Sequence, residues 1–377
     1  MYYASYTVSK QFFNREQKEM NFCINCFKDN EIIEIIKGLK KKGDCDFCDK
    51  KDIEICEIKD SKIISDMLGE VIDVYSHSSF LPETFPNEKK NLIKNFFYND
   101  WNIFNLKTDA IYKILIEICK EKYEKNPELF NESVGIKEIF DDEYLNENSI
   151  LKEHKWKNFS KEIKCNNRFH TNYVNKDTLK AFLFFFEQTY EKDKFFYRAR
   201  ISPNERGYKA KEMGAPPQNL ARAGRANAEG ISCLYLASDG DTAIKEVRTG
   251  LYDYVSVGKF VLLKEAKIIS LVDIEKISPF IFQTIELTQY AVNIEHLKKI
   301  SSEIATPLRR NDSSIDYLPI QYICDFIKSL GYNGIEYKST MNKKGKNFVA
   351  FGESFFKCEE VATYDVQSIN YDYEKIS

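Results

Sequence analysis

The stretch Phe196–Arg248, FYRARISPNERGYKAKEMGAPPQNLARAGRANAEGISCLYLASDGDTAIKEVR, decides how this chain is read. Phe195–Ile201 and Ser232–Ala237 are short aromatic and apolar runs that predict strands, the second bounded by Gly230 and by Asp239-Gly240. Asp241 or Thr242 can cap a following helix that carries Ala243, Ile244 and Val247. Between the strands, Gly214, Gly224 and Gly230 bracket arginines, and Pro216-Pro217 stiffens the approach. Arg198, Arg200, Arg222, Arg225, Tyr235 and Glu246 thus gather around one loop. Cations suit a pyrophosphate, an aromatic face suits a flat ring, and an acid suits the sugar between them. That set points to an enzyme acting on a dinucleotide, with NAD+ first among candidates.

Downstream, Tyr254–Leu263 and Ala266–Val272 predict two further strands. Asp316–Leu330 predicts an amphipathic helix closed by Gly331, and Gly334–Tyr337 and Asn347–Phe351 predict short core strands. Strands dominate with helices inserted, so the expected class is α+β rather than a βαβ repeat. Nothing matches a phosphate-binding P-loop or a G-x-G-x-x-G opening a helix, which argues against a Rossmann cofactor site.

Upstream the pattern is helical. Ile64–Tyr75 and Ile111–Lys122 carry apolar residues at three- and four-residue spacing, and Asn175 or Asp177 can cap a helix with the face Leu179, Phe182, Leu183 and Phe186. His77, His154 and His170 lack a partner at a defined spacing and read as packing or solvated residues. Trp101, Phe96, Phe97 and Phe104 read as core. Further upstream, Cys23-Ile-Asn-Cys26 and Cys45-Asp-Phe-Cys48 form paired CxxC knuckles. Four thiolates at this spacing suit tetrahedral Zn2+, structural because protein ligands close the shell. Asp29 can cap a helix between the knuckles over Glu31–Lys40, with Ile32, Ile35, Ile36 and Leu39 on one face.

At 377 residues the chain is too long for one ordinary core. Three regions are expected: a zinc-knuckle region over 1–60, a helical accessory domain over 61–190 and a catalytic domain over 191–377. A net charge of −3 gives no global pull toward nucleic acid. No run of 18 apolar residues suggests a membrane span, and MYYASYTVSKQFFNREQKEM lacks the pattern of a secretory signal. The remaining cysteines are scattered among the chain's ten and read as buried thiols, so a reducing cytoplasm is the expected setting.

GRANAEGISCLYLASDGDTAIKEVR (Gly224–Arg248) resembles the signature of the RES domain, named for Arg, Glu and Ser. DYLPIQYICDFIKSLGYNGIE followed by YKSTMNKKGKNFVAF (Asp316–Phe351) resembles that family's C-terminal segment. The front half is similar to the extension of longer RES proteins, described as HEPN-like. It holds no Arg and His at the separation HEPN ribonucleases use, Arg168 and His170 being too close together. The resemblance implies a fold related to ADP-ribosyltransferase toxins and consumption of NAD+ by a toxin or defence-type effector. An antitoxin or immunity protein is the implied partner, with a homo-oligomer as a further option. Arg225, Tyr235 and Glu246 fall on the family's arginine, tyrosine and acid. Ser339 falls on the serine, and Arg198 on the first-strand arginine.

The chemistry of the residues agrees with the resemblance. Breaking a nicotinamide–ribose bond develops oxocarbenium-like charge on the sugar, which a carboxylate such as Glu246 stabilises. Arg225 offers a planar donor fork to phosphate or ribose oxygens, and Tyr235 a face for the nicotinamide ring. Asn227, Ser339 and Asn347 can add neutral hydrogen bonds to the substrate. Singly, a helical Glu is ordinarily a solvated face and a strand Tyr ordinarily core; their order around a Gly-rich loop is what argues for a site. The acceptor stays open between phosphate (an NAD+ phosphorylase), water (a glycohydrolase) and a protein side chain (an ADP-ribosyltransferase). A non-catalytic nucleotide-sensing module is the reading from another class.

Overall fold

The computed structural model describes residues 20–274, 277–309, 311–370 and 373–375. The stretch read for a targeting signal lies outside them, Met20 excepted. The chain divides into two compact units, one of the described residues up to Asp73 with Lys90–Val134, the other of Val74–Lys89 with Gly135 onward. The helical segment 61–190 therefore contributes to both. Elements used below are numbered in chain order.

In the first unit, β1 (Asn21–Cys23), β2 (Lys42–Gly43) and β3 (Ile53–Glu57) form an antiparallel sheet in the order β1–β3–β2. Helix α1 (Asn30–Gly38) lies between β1 and β2 in sequence. Asp29 caps it, accepting from the Ile32 amide at 3.1 Å, and Ile32 and Ile36 are fully buried. Helices α2 (Lys62–Asp73), α3 (Ile93–Asn99) and α4 (Thr108–Ile118) follow. Their buried residues recur at helical spacing, Ile64, Leu68 and Ile72 on α2 and Ile111, Leu115 and Ile118 on α4. Trp101, Phe97 and Phe104 are core residues, while Phe96 is half-buried.

The second unit is a mixed α+β domain. Helix α5 (Lys176–Phe184) is capped by Asn175, which accepts from the Thr178 amide at 3.2 Å. The strands are β4 (Glu187–Tyr190), β5 (Phe195–Ser202), β6 (Leu234–Ala237), β7 (Tyr254–Leu262), β8 (Ala266–Ser270), β9 (Gly334–Lys338), β10 (Lys346–Ala350) and β11 (Phe356–Asp365). They form one sheet in the order β11–β7–β5–β6–β10–β9–β8–β4. The β8–β9 pair is parallel and the others are antiparallel. Strands β5 and β6 meet at one residue pair, Tyr197 and Ala237.

The two faces of this sheet differ. One packs Tyr190, Phe196, Leu234, Leu236, Phe260 and Phe348 into an aromatic-rich core. The other buries Ala199, Ala237, Val255 and Val257 beneath Ala243 of α6 (Gly240–Glu246). The cap of α6 is Asp239 rather than Asp241 or Thr242. Its extended backbone sets the carboxylate over the first turn, where it accepts from the Thr242 amide at 2.8 Å and from its hydroxyl at 2.7 Å. Asp241 pairs instead with Lys245, one turn on.

Two further helices complete the domain, α7 (Leu287–Ala305) and α8 (Leu318–Ser329). Pro319 sits in the first turn of α8, where its missing N–H costs nothing. Helix α7 went unread in the sequence because its buried face mixes apolar residues with Asn293 and His296, which breaks the apolar stripe. His296 is satisfied by His154 at 2.9 Å, and Asn293 by the Ile150 amide at 2.6 Å.

Candidate active site

Glu246, the last residue of α6, is the centre of a convergent cluster. Its Oε1 accepts from the Ser339 hydroxyl at 2.6 Å and from the Asn347 side-chain amide at 2.7 Å. Its Oε2 accepts from Arg225 Nη2 at 2.8 Å. The side chains of Arg225 and Glu246 are 13% and 14% exposed, so the pair is shielded yet reachable. Burial alone would push the Glu246 carboxyl up. The hydrogen bonds from Ser339 and Asn347 and the Arg225 charge outweigh it and hold the group below the usual carboxylate range. The site therefore presents a fixed anion at neutral pH.

Four segments supply this cluster. Asn347 stands on β10 directly opposite Tyr337 of β9 on one side and Ala237 of β6 on the other. Ser339 follows β9 and is itself locked, since its oxygen accepts from the Met341 and Asn342 amides at 3.1 Å each. Arg225 comes from the Gly-rich loop. Its guanidinium lies 5.3 Å from the Tyr337 ring centroid, and its Nη1 donates to the carbonyls of Ala305 at 2.9 Å and Ile304 at 3.4 Å at the end of α7. Both terminal nitrogens of Arg225 are thus engaged by protein.

Tyr235 and Asn227 are brought beside the cluster, but their polar atoms serve the loop. The Tyr235 hydroxyl accepts from the Ala226 amide at 3.0 Å and donates to Asn227 Oδ1 at 2.6 Å. Asn227 Nδ2 donates to the carbonyls of Arg222, Ala228 and Ile231 at 2.8–3.0 Å. Gly224 is required here: a Cβ would stand 2.5 Å from the Tyr235 hydroxyl and 2.7 Å from Asn227 Oδ1. Arg222 is exposed.

Arg198 is not brought to Glu246. Tyr197 pairs with Ala237, so strand alternation turns Arg198 to the opposite face, with Phe196. There its Nη1 is buried without a hydrogen-bond partner among the described residues. Burial, with Arg200 close by, pushes the guanidinium down to about 10. Sequence reading missed Tyr337, under Arg225, and Gln321 of α8, whose signal was a polar residue inside an apolar stripe.

In the first unit, Cys23, Cys26, Cys45 and Cys48 come together with all four sulfurs within 4.8 Å of one another. The Cys23–Cys48 and Cys26–Cys45 separations are 3.4 Å and the Cys23–Cys26 separation 3.9 Å. Tetrahedral Zn–S bonds of about 2.3 Å put sulfurs roughly 3.8 Å apart, so the donor set fits such an ion. Among the described residues, no helix is long and apolar enough to cross a membrane.

The depressed Glu246 value has a consequence for stability. A carboxyl that titrates lower when folded contributes stability that is whole above its unfolded value, about pH 4.3, and is lost as pH falls through the folded value. Glu246→Gln is expected to flatten the acid side of the stability curve of the second unit. Chemical denaturation at a series of pH values checks this; an unchanged slope in the variant would place the titration elsewhere.

A family model for the RES domain matches residues 196–374. No curated protein matches the chain. Among solved structures, the M. tuberculosis MbcT–MbcA toxin–antitoxin complex is similar at 14% identity over 47% of this chain and 86% of that one. Its TM-score of 0.30 marks a superposition too loose to transfer any property.

Proposed function

On the premise that residues 196–374 are a RES domain, we propose that this domain cleaves the nicotinamide–ribose bond of NAD+. The observation that carries the reading is the Glu246 carboxylate, held ionised by Arg225, Ser339 and Asn347. Of these four, Arg225, Glu246 and Ser339 are ones that the motif order singles out. In the reaction the C1′–N bond breaks and its electron pair passes to the nicotinamide ring, neutralising the pyridinium. Positive charge grows on the ribose as the bond lengthens, and a fixed carboxylate stabilises it without having to reorganise. An oxygen of phosphate or water then bonds to C1′, and water gives up a proton in doing so. We read the eight-stranded sheet as a relative of the ADP-ribosyltransferase fold on the same premise.

The assigned roles follow from the contacts. Glu246 is the electrostatic stabiliser at the sugar. Three of the five guanidinium N–H groups of Arg225 go to the Ala305 and Ile304 carbonyls and to Glu246, and the remaining donors are the ones that would meet a substrate oxygen. Ser339 and Asn347 hold the acid, and Asn227 and Tyr235 shape the loop while the Tyr235 ring stays available to the nicotinamide. Arg198, whose buried Nη1 lacks a hydrogen-bond partner among the described residues, is suited to an anionic oxygen of the substrate reaching the other face. The four cysteines would hold a structural Zn2+, and a toxin-type effector of this kind would be kept in check by an antitoxin or immunity protein.

Incubating the purified protein with NAD+, with and without phosphate, tests the reading. Free nicotinamide is expected, with ADP-ribose or its 1″-phosphate as the second product. Nicotinamide with labelled protein would indicate an ADP-ribosyltransferase, and NAD+ recovered intact would leave a nucleotide-sensing module.

A further inference from the structure

We propose that Gln321 of α8 is a positioning residue: it fixes the backbone on both sides of Arg225 so that the guanidinium meets Glu246. The inference rests on the reading of Glu246 as the acid at the sugar. Gln321 is 3% exposed and lies within the buried stripe of Pro319, Ile320, Ile323, Cys324 and Ile327. Its amide nitrogen donates to the Gly224 carbonyl at 2.6 Å and to the Asn227 carbonyl at 2.8 Å. A side-chain amide has two N–H donors, and both are used. The two carbonyls belong to the residues that bracket Arg225 and Ala226.

The same four residues are pinned from the sheet side. Gly224 donates to the Asn227 carbonyl at 2.9 Å, closing a bridge across the loop, and Tyr235 takes the Ala226 amide and the Asn227 side chain. Tyr235 alone reaches the amide of the loop and one side chain; the outward carbonyls of Gly224 and Asn227 are satisfied by Gln321. Without it the Gly224 carbonyl would lose its donor against an apolar helix stripe and the Asn227 carbonyl would keep only the Gly224 amide, so the loop would shift to reach other donors or water. Among the described residues, Arg225 would then be held by Glu246, the Tyr337 ring and the α7 carbonyls alone. Ser339 and Asn347 would still hold Glu246 Oε1, so the acid would remain in place without its cation. That displaces both the acid's cation and the donor a substrate oxygen would meet, a defect felt more in turnover than in KM, and displacement by about 1 Å suffices for losses near 10²-fold.

Gln321→Met keeps the length of the side chain and removes the donors; Gln321→Glu keeps the shape and sets oxygens against the two carbonyls. Far-ultraviolet circular dichroism and thermal melts on the full chain establish that each is folded, with Gln321→Asn as the milder variant if either is not. In the donor-less variants, hydrogen exchange of the peptide spanning 222–231 is expected to rise about tenfold or more. The β6 amides at 234–237 should keep their protection. Turnover of NAD+ is expected to fall between about 10- and 100-fold, by more than KM rises, and Gln321→Glu should be at least as impaired as Gln321→Met. A space-filling role predicts instead that Gln321→Met behaves as wild type, and that result overturns the proposal. So does a loosened loop with unchanged turnover. If wild type releases no nicotinamide, the reading of the reaction fails, and the exchange measurement by itself decides whether Gln321 holds the loop.

Discussion

Glu246→Gln is expected to cut nicotinamide release by about 10²–10³-fold while leaving NAD+ affinity within a few-fold. The size is that of losing one preorganised electrostatic stabiliser, and the split follows from when the charge is needed. The ground-state ribose is neutral and the transition state is not, so the carboxylate acts mainly on kcat. The substitution also has a local cost that the contacts make explicit. In one orientation the glutamine amide accepts from Ser339 and Asn347 but points N–H groups at Arg225; in the other it faces those two donors with its own. A melt must therefore accompany the kinetics. Calorimetric binding together with a nicotinamide assay checks the prediction, and abolished binding with normal turnover of what remains bound would move the acid's role elsewhere. In cells, free expression of a chain that depletes NAD+ should arrest growth, and Glu246→Gln at equal protein level should relieve the arrest.

Cys45→Ser is expected to lose the metal and to destabilise the first unit by at least about 2 kcal/mol, a drop in its melting temperature on the order of 10 °C. Cys45 sits 3.4 Å from Cys26, and its sulfur also accepts from the Phe47 amide at 3.4 Å, so the serine disturbs both the donor set and the knuckle turn. With all four donors supplied by protein, an ion here has no open position for chemistry. Nicotinamide release by the second unit should therefore survive the substitution. Elemental analysis of protein purified without chelator checks the premise: an absence of zinc, or a melt unchanged by chelator, would remove it.

Signals confined to a few residues were legible in the chain itself. The paired CxxC spacing, Asp29 three residues before Ile32, and the order Arg225, Tyr235, Glu246 each depend on local chemistry or on motif order, and the sequence carried them without help. The short apolar runs read as strands over Ser232–Ala237 and Asn347–Phe351 were equally plain, and the strands fall at Leu234–Ala237 and Lys346–Ala350. The edge strand Phe356–Asp365 and the helix Leu287–Ala305 were not, because polar residues interrupt their patterns and only tertiary partners satisfy them. The constellation around Glu246 belongs to the same class. Ser339 and Asn347 lie 93 and 101 residues from the acid, and whether they reach it depends on strand register. Alternation likewise sent Arg198 to the far face, although it stands in the same stretch as Arg225. Spacing along the chain thus named the chemical groups, while pairing between distant strands and helices decided which of them meet, since a one-residue change of register turns a side chain from one face of a sheet to the other.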